Sequence, residues 1–154
     1  MKRYYIETDI FGDTCNELLR FCLSKASTVL FAMTIKNYAT EPCKKLLDLF
    51  LKLGGTVEQR SEWPGTTRYD GDVADVYTVP VSNALVSKIV QVPSLFSWQL
   101  PEYPEDLCIL RTTGKPIYLS TTHERYAILD LTDREIEEWN SNSLLAPITL
   151  VEGD

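Results

Sequence analysis

Residues 28–36 read Thr-Val-Leu-Phe-Ala-Met-Thr-Ile-Lys, a continuous apolar centre with no polar alternation. A strand with one wet face alternates apolar and polar side chains, whereas a strand covered on both faces does not. The segment therefore predicts a central strand with protein above and below it. A chain built round such a strand needs amphipathic elements to cover it.

The neighbouring sequence supplies them. Cys15, Leu18, Leu19, Cys22 and Ala26 recur at helical spacing, after Asp13 or Thr14 as the cap. Cys43, Leu46, Leu47, Phe50 and Leu51 repeat the pattern, with Thr40 as cap, Pro42 in the first turn and Gly54-Gly55 at the end. Ser82 or Asn83 opens a third helix carrying Leu85, Val86, Ile89 and Val90. Thr132 and Glu135 form a capping box that starts a fourth helix, reaching Trp139.

Strands are expected over 3–9, over the polar alternating stretch 56–62, and over 73–81, where Pro80 marks an edge or an end. Three more follow in series at 107–111, 116–121 and 125–131, the first two joined through Thr112-Thr113-Gly114-Lys115. Trp63-Pro64-Gly65 reads as a turn. The order is β-α-β-α-β-β-α-β-β-β-α. It implies an α/β fold of the mixed α+β kind, with a single mixed β-sheet flanked by helices. The first part suggests right-handed crossovers and the second an antiparallel meander. One globular domain over 1–154 fits the length. Residues 140–154 are expected to be loose, with Leu144-Leu145 and 148–151 able to dock or to add an edge strand.

Charge narrows the partners. The net charge is −7, and it is uneven: residues 1–60 carry nine Lys/Arg against seven Asp/Glu, residues 61–154 six against fifteen. Nucleic-acid binders cluster Lys and Arg against phosphate, so no nucleic-acid partner is expected. An acidic second part suits either plain solubility or a protein partner with a basic surface. The longest apolar run, 29–33, cannot span a bilayer, so no membrane partner is expected. Cys15, Cys22, Cys43 and Cys108 form no C-x-x-C pair, and no secretory signal follows Met1-Lys2-Arg3. Reduced thiols and a cytoplasmic location are the expectation.

The search for chemistry leaves few candidates. His123 is the only histidine, which removes every zinc set needing two, and no metal or cofactor is expected. A Cys108–His123 nucleophile and base would require the fold to join them, while Cys108 lies among Leu107, Ile109 and Leu110 as a core thiol would. Asp70-Gly71-Asp72-Val73-Ala74-Asp75 departs from a calcium loop at its fifth, sixth and twelfth positions. Gly54-Gly55-Thr56 follows a helix, whereas a phosphate cradle precedes one. The loop at 93–106 gathers Trp98, Glu102, Tyr103, Glu105 and Asp106, aromatics beside acids that suit a recognition surface. The competing reading of those acids is ordinary loop polarity.

Three segments carry a resemblance: Glu62-Trp63-Pro64-Gly65-Thr66, Trp98 followed by Pro101-Glu102 and Pro104-Glu105-Asp106-Leu107-Cys108, and Ser120 followed by His123-Glu124 and Tyr126. Together they resemble a set of small bacterial proteins without assigned chemistry, some labelled stage III sporulation protein AH. The resemblance covers most of the chain and implies that the three segments belong together, and that the origin is bacterial and cytosolic. The sporulation channel component itself should carry a membrane anchor, so no catalytic residue is carried over.

The expected function is a non-catalytic protein-binding module, of which a toxin-neutralising immunity-type protein is one version. The candidate binding residues are Trp63, Trp98, Glu102, Tyr103, Glu105, Asp106, His123 and Glu124. The alternative is a small-molecule-binding domain or enzyme using His123, Glu124 and the loop carboxylates, which would demand a pocket lined by His123 and Trp63. Oligomeric state is left open.

Overall fold

A computed structural model describes the backbone of residues 1–154 and every side chain except that of Lys36. The unbroken apolar segment forms β2 (Thr28–Met33), and it lies inside an eight-stranded sheet. The other strands of that sheet are β1 (Lys2–Ile6), β3 (Thr56–Arg60), β6 (Ala74–Pro80), β7 (Glu105–Leu110), β8 (Pro116–Thr121), β9 (Tyr126–Leu131) and β10 (Val151–Gly153). The helices are α1 (Gly12–Leu23), α2 (Glu41–Lys52), α3 (Asn83–Ile89) and α4 (Asp133–Ser141). A separate two-stranded hairpin, β4 (Glu62–Trp63) and β5 (Thr66–Thr67), stands apart from the sheet. The α+β class with helices flanking one large sheet is as the sequence predicts.

Pairing direction differs from the expected mixture. The order is β10-β1-β9-β8-β7-β2-β6-β3, and every neighbouring pair is antiparallel. A helical connection still returns the chain to the same end of the sheet, so β2 and β3 run the same way. They are not neighbours, because β6 lies between them. Likewise β2 separates β6 from β7, and β1 separates β9 from β10. Periodicity reports which face is buried, not which strand is adjacent, which is why the alternation of elements suggested parallel pairs.

The order resolves into two copies of one pattern. The elements β2-α2-β3-β6-α3-β7 form a β-α-β-β-α-β unit with its strands in the order fourth-first-third-second. The elements β1-α1, then β8-β9-α4-β10, form the same split β-α-β arrangement. The first unit is inserted within the second, and β7 pairs with β8 to make the sheet continuous.

All four helices cover one face. Leu18, Leu19, Cys22, Phe50, Leu85, Ile89 and Trp139 pack there with Val29, Phe31, Val79, Ile109 and Leu129. Phe31 stacks on Phe50 at 4.9 Å, and Phe21 meets Trp139 edge-on at 5.4 Å. The other face collects Leu30, Ala32, Val76, Cys108, Leu119 and Ile128 under Trp63. The two sets alternate along β2, which explains its lack of polar residues.

Caps follow the sequence with one exception. Thr40 Oγ1 accepts from the Cys43 N–H, Ser82 Oγ from the Leu85 N–H, and Thr132 with Glu135 forms the reciprocal box. At α1 the N-cap is Phe11, which offers no side-chain acceptor, so neither Asp13 nor Thr14 plays the expected part. Residues 140–154, expected loose, are docked: Leu145 is buried, and β10 pairs with β1 through Arg3 and Gly153. Pro80 terminates β6, an interior strand.

Candidate functional site

The eight sequence candidates do not form one cluster. Trp98 is wholly buried, packed on Phe31 at 5.2 Å and edge-on to Tyr103 at 5.2 Å. It belongs to the core of the helical face, where a large flat ring fills the space between β2 and the 93–106 loop, and it offers no surface for recognition. Glu102 is exposed, and with Tyr103 it borders a cleft of about 250 Å³ beside Pro42 and Leu46 of α2. Glu105 is tied to Thr34, which donates to it through both its hydroxyl and its backbone N–H.

Asp106 turns the other way. It is 2% exposed and lies on the hairpin side of the sheet. The expected acidic cluster is therefore split: the turn into β7 sends Glu102 toward α2 and Asp106 under the hairpin. Asp106 has a positive φ of 55°, a conformation that Asp tolerates better than most residues.

The hairpin and the β8–β9 turn converge on this carboxylate. Pro64 and Gly65 occupy the two central positions of the tight turn between Trp63 and Thr66, with Gly65 at φ 88°. The hairpin reaches from the β3 edge to β8, a span of four strand spacings or roughly 19 Å. Thr66 Oγ1 donates to Asp106 Oδ2 at 3.4 Å, and the Thr122 N–H donates to Oδ1 at 3.3 Å. Burial pushes the Asp106 carboxyl up, opposed by the Thr122 N–H; Glu105 adds to the rise, while His123 and Trp63 work against it. The Trp63 indole N–H thus sits near enough to favour the ionised carboxylate, yet it meets no hydrogen-bond geometry and remains without a partner. The Thr121 and Thr122 hydroxyls are also buried and unpartnered among the described residues.

Cys108 lies beneath the same hairpin and is fully buried. Its thiol donates to the carbonyls of Asp106 at 3.4 Å and Pro64 at 3.6 Å, not to His123. Burial and the Asp106 charge hold the thiol far above its ordinary range. A nucleophile must be available as thiolate and reachable, whereas this thiol is wholly buried and bonded to two carbonyls.

His123 stands in a short helical turn, 60% exposed, with Nε2 3.9 Å from Glu124 Oε1. The turn closes at Arg125, in left-handed conformation at φ 59°. Beyond it lies a feature that the sequence reading missed. Tyr5 and Tyr126 are half-buried on the sheet face left open by the hairpin, with ring centroids 6.2 Å apart and planes tilted by 49°. With Glu7, Glu124 and Arg125 they line a cleft of about 390 Å³. The available signal was a tyrosine on the alternating first strand and another two residues after His123-Glu124. Only the pairing of β1 with β9 joins them, through Tyr5 opposite Ile128 and Ile6 opposite Ala127.

A larger cavity of about 450 Å³ lies between the end of β1 and residues 143–149, with Phe11 66% exposed at its mouth. None of the sequence candidates lines it. Among the described residues no group of three or more His, Cys, Asp or Glu is placed to hold a metal, and no helix is long and apolar enough to cross a membrane. Comparison with family models, with curated proteins and with solved structures gives no match.

Proposed function

We propose that this chain is a non-catalytic protein-binding module that takes a basic segment of its partner into the Tyr5–Tyr126 cleft. The observation that carries the reading is the pairing of two tilted tyrosine rings with the exposed carboxylates of Glu7 and Glu124, two anions against the one cation of the lining, Arg125, whose guanidinium lies over the Phe96 ring at 5.5 Å. A guanidinium or ammonium over an aromatic face gains about 0.5–2 kcal/mol, more as it leaves water. The flanking carboxylates add complementary charge and steer a basic partner on approach. The excess of Asp and Glu after residue 60 supports the same preference. An immunity-type role, masking a basic surface of a toxin, is a specific version of this reading.

The test is titration calorimetry with an arginine-rich oligopeptide and a glutamate-rich control. Binding of the basic peptide should weaken at least about tenfold, or 1.4 kcal/mol, in the Tyr126→Ala and Glu7→Gln/Glu124→Gln proteins. Absence of binding, or binding indifferent to these changes, overturns the proposal.

A second reading, binding of a small amphipathic molecule, is favoured by the 450 Å³ cavity, whose size falls in the usual range for such ligands. It would operate far from His123 and the loop carboxylates.

A further inference from the structure

The two ends of the sheet differ. One ends in β10, three residues long. The other ends in β3, five residues in continuous register with β6, with no bulge and no proline. Folded chains usually blunt such an edge with a bulge, a proline, a very short strand or charged side chains. β3 has no bulge and no proline, and its two charged side chains, Glu58 and Arg60, are of opposite sign. Thr56, Val57, Glu58 and Gln59 are exposed, Val57 to 46%. Its charges are of both signs and lie on one face: Glu58 and Arg60 are two residues apart, with Arg60 Nε 3.8 Å from Glu58 Oε1.

We propose that the free edge of β3 pairs antiparallel with the same edge of a second copy of this chain, about a two-fold axis through Gln59. In that register Glu58 of each copy stands directly opposite Arg60 of the other, giving two opposite-charge cross-strand pairs on one face. A register centred on Glu58 would set two glutamates against each other, so charge selects the axis. The arrangement is isologous and closes at two copies. The contact is one short strand per copy, small against the roughly 1,200 Å² of a stable interface, so the dimer is weak and salt-sensitive. It lies at the opposite end of the sheet from the Tyr5–Tyr126 cleft and does not depend on that cleft's role.

Sedimentation velocity of the full chain over a concentration series tests it. The wild-type protein should shift from monomer to dimer as concentration rises, less so at high salt. Glu58→Arg or Arg60→Glu alone sets like charges opposite each other and should weaken dimerisation about tenfold or more. The Glu58→Arg/Arg60→Glu double variant should restore it, and mixing the two single variants should give a mixed dimer. Circular dichroism of each variant confirms that it is folded. A wild-type chain that stays monomeric, a dimer indifferent to both single reversals, or open-ended assemblies would each overturn the proposal.

Discussion

The Asp106 carboxylate and the Thr122 backbone N–H, sixteen residues apart in sequence, are joined by a 3.3 Å hydrogen bond that ties the start of β7 to the turn after β8. Thr66 adds the hairpin to the same carboxylate. Removing the acceptor with Asp106→Ala leaves a buried N–H unsatisfied and should cost about 1–3 kcal/mol. Asp106→Asn keeps an acceptor for Thr122. Because burial raises this carboxyl in the folded chain, its proton is held more tightly folded than unfolded. Its stabilising contribution is thus complete below the unfolded carboxyl range and is lost as pH rises through the folded value. Asp106→Asn should flatten that part of the stability–pH curve. An unchanged curve from chemical denaturation would refute the assignment.

Glu135 shows the opposite sign. Burial acts to raise its carboxyl, but hydrogen bonds from Arg111 at 2.7 Å and from the Thr132 N–H at 2.9 Å outweigh it and lower it. Its contribution is present above the ordinary glutamate range and is lost as pH falls through the lowered folded value. Glu135→Gln should destabilise by about 1.5–3 kcal/mol at neutral pH, the loss of hydrogen bonds to a charged group. The difference from wild type should shrink in acid. Equal denaturation midpoints at neutral pH would contradict this.

Gly65 holds the hairpin tip close to β8. A Cβ there would lie 2.9 Å from Leu119 Cδ1, and the residue has φ 88°. Gly65→Ala should destabilise by about 1–3 kcal/mol and loosen the cover over Trp63, seen as a red-shifted tryptophan emission. A native spectrum at full stability would show that the tip is not clamped.

Each of the four cysteines is wholly buried and free. Burial pushes Cys43 up to about 11 and Cys15 up to about 12. Alkylation at neutral pH should therefore be negligible in the native protein and complete for four thiols after denaturation. Rapid labelling of any one in the native state would contradict its placement.

The parts of the fold with a local chemical signal were legible in the sequence. Thr40, Ser82 and the Thr132–Glu135 box cap the helices that periodicity placed, and β2 is buried on both faces. Partnership between distant segments was not legible. Nothing in Glu102-Tyr103-Pro104-Glu105-Asp106 shows that the chain turns so as to send its first acid toward α2 and its last under the hairpin. Trp98 looked like a surface aromatic because its loop is punctuated by prolines, yet the ring is held by Phe31, far away in sequence. The Tyr5–Tyr126 contact depends on strand adjacency, which no window of residues encodes.

The nesting of one β-α-β-β-α-β unit inside the other imposes an order on synthesis. Residues 28–110, the whole inner unit, leave the ribosome as one uninterrupted stretch and can close their four strands at once. β1 emerges earlier but finishes last, since Lys2 must wait for Leu131 and Arg3 for Gly153. Until then β1 has neither of its two neighbouring strands. A nascent chain arrested before β9 should hold its N-terminal segment open to chaperones and proteases.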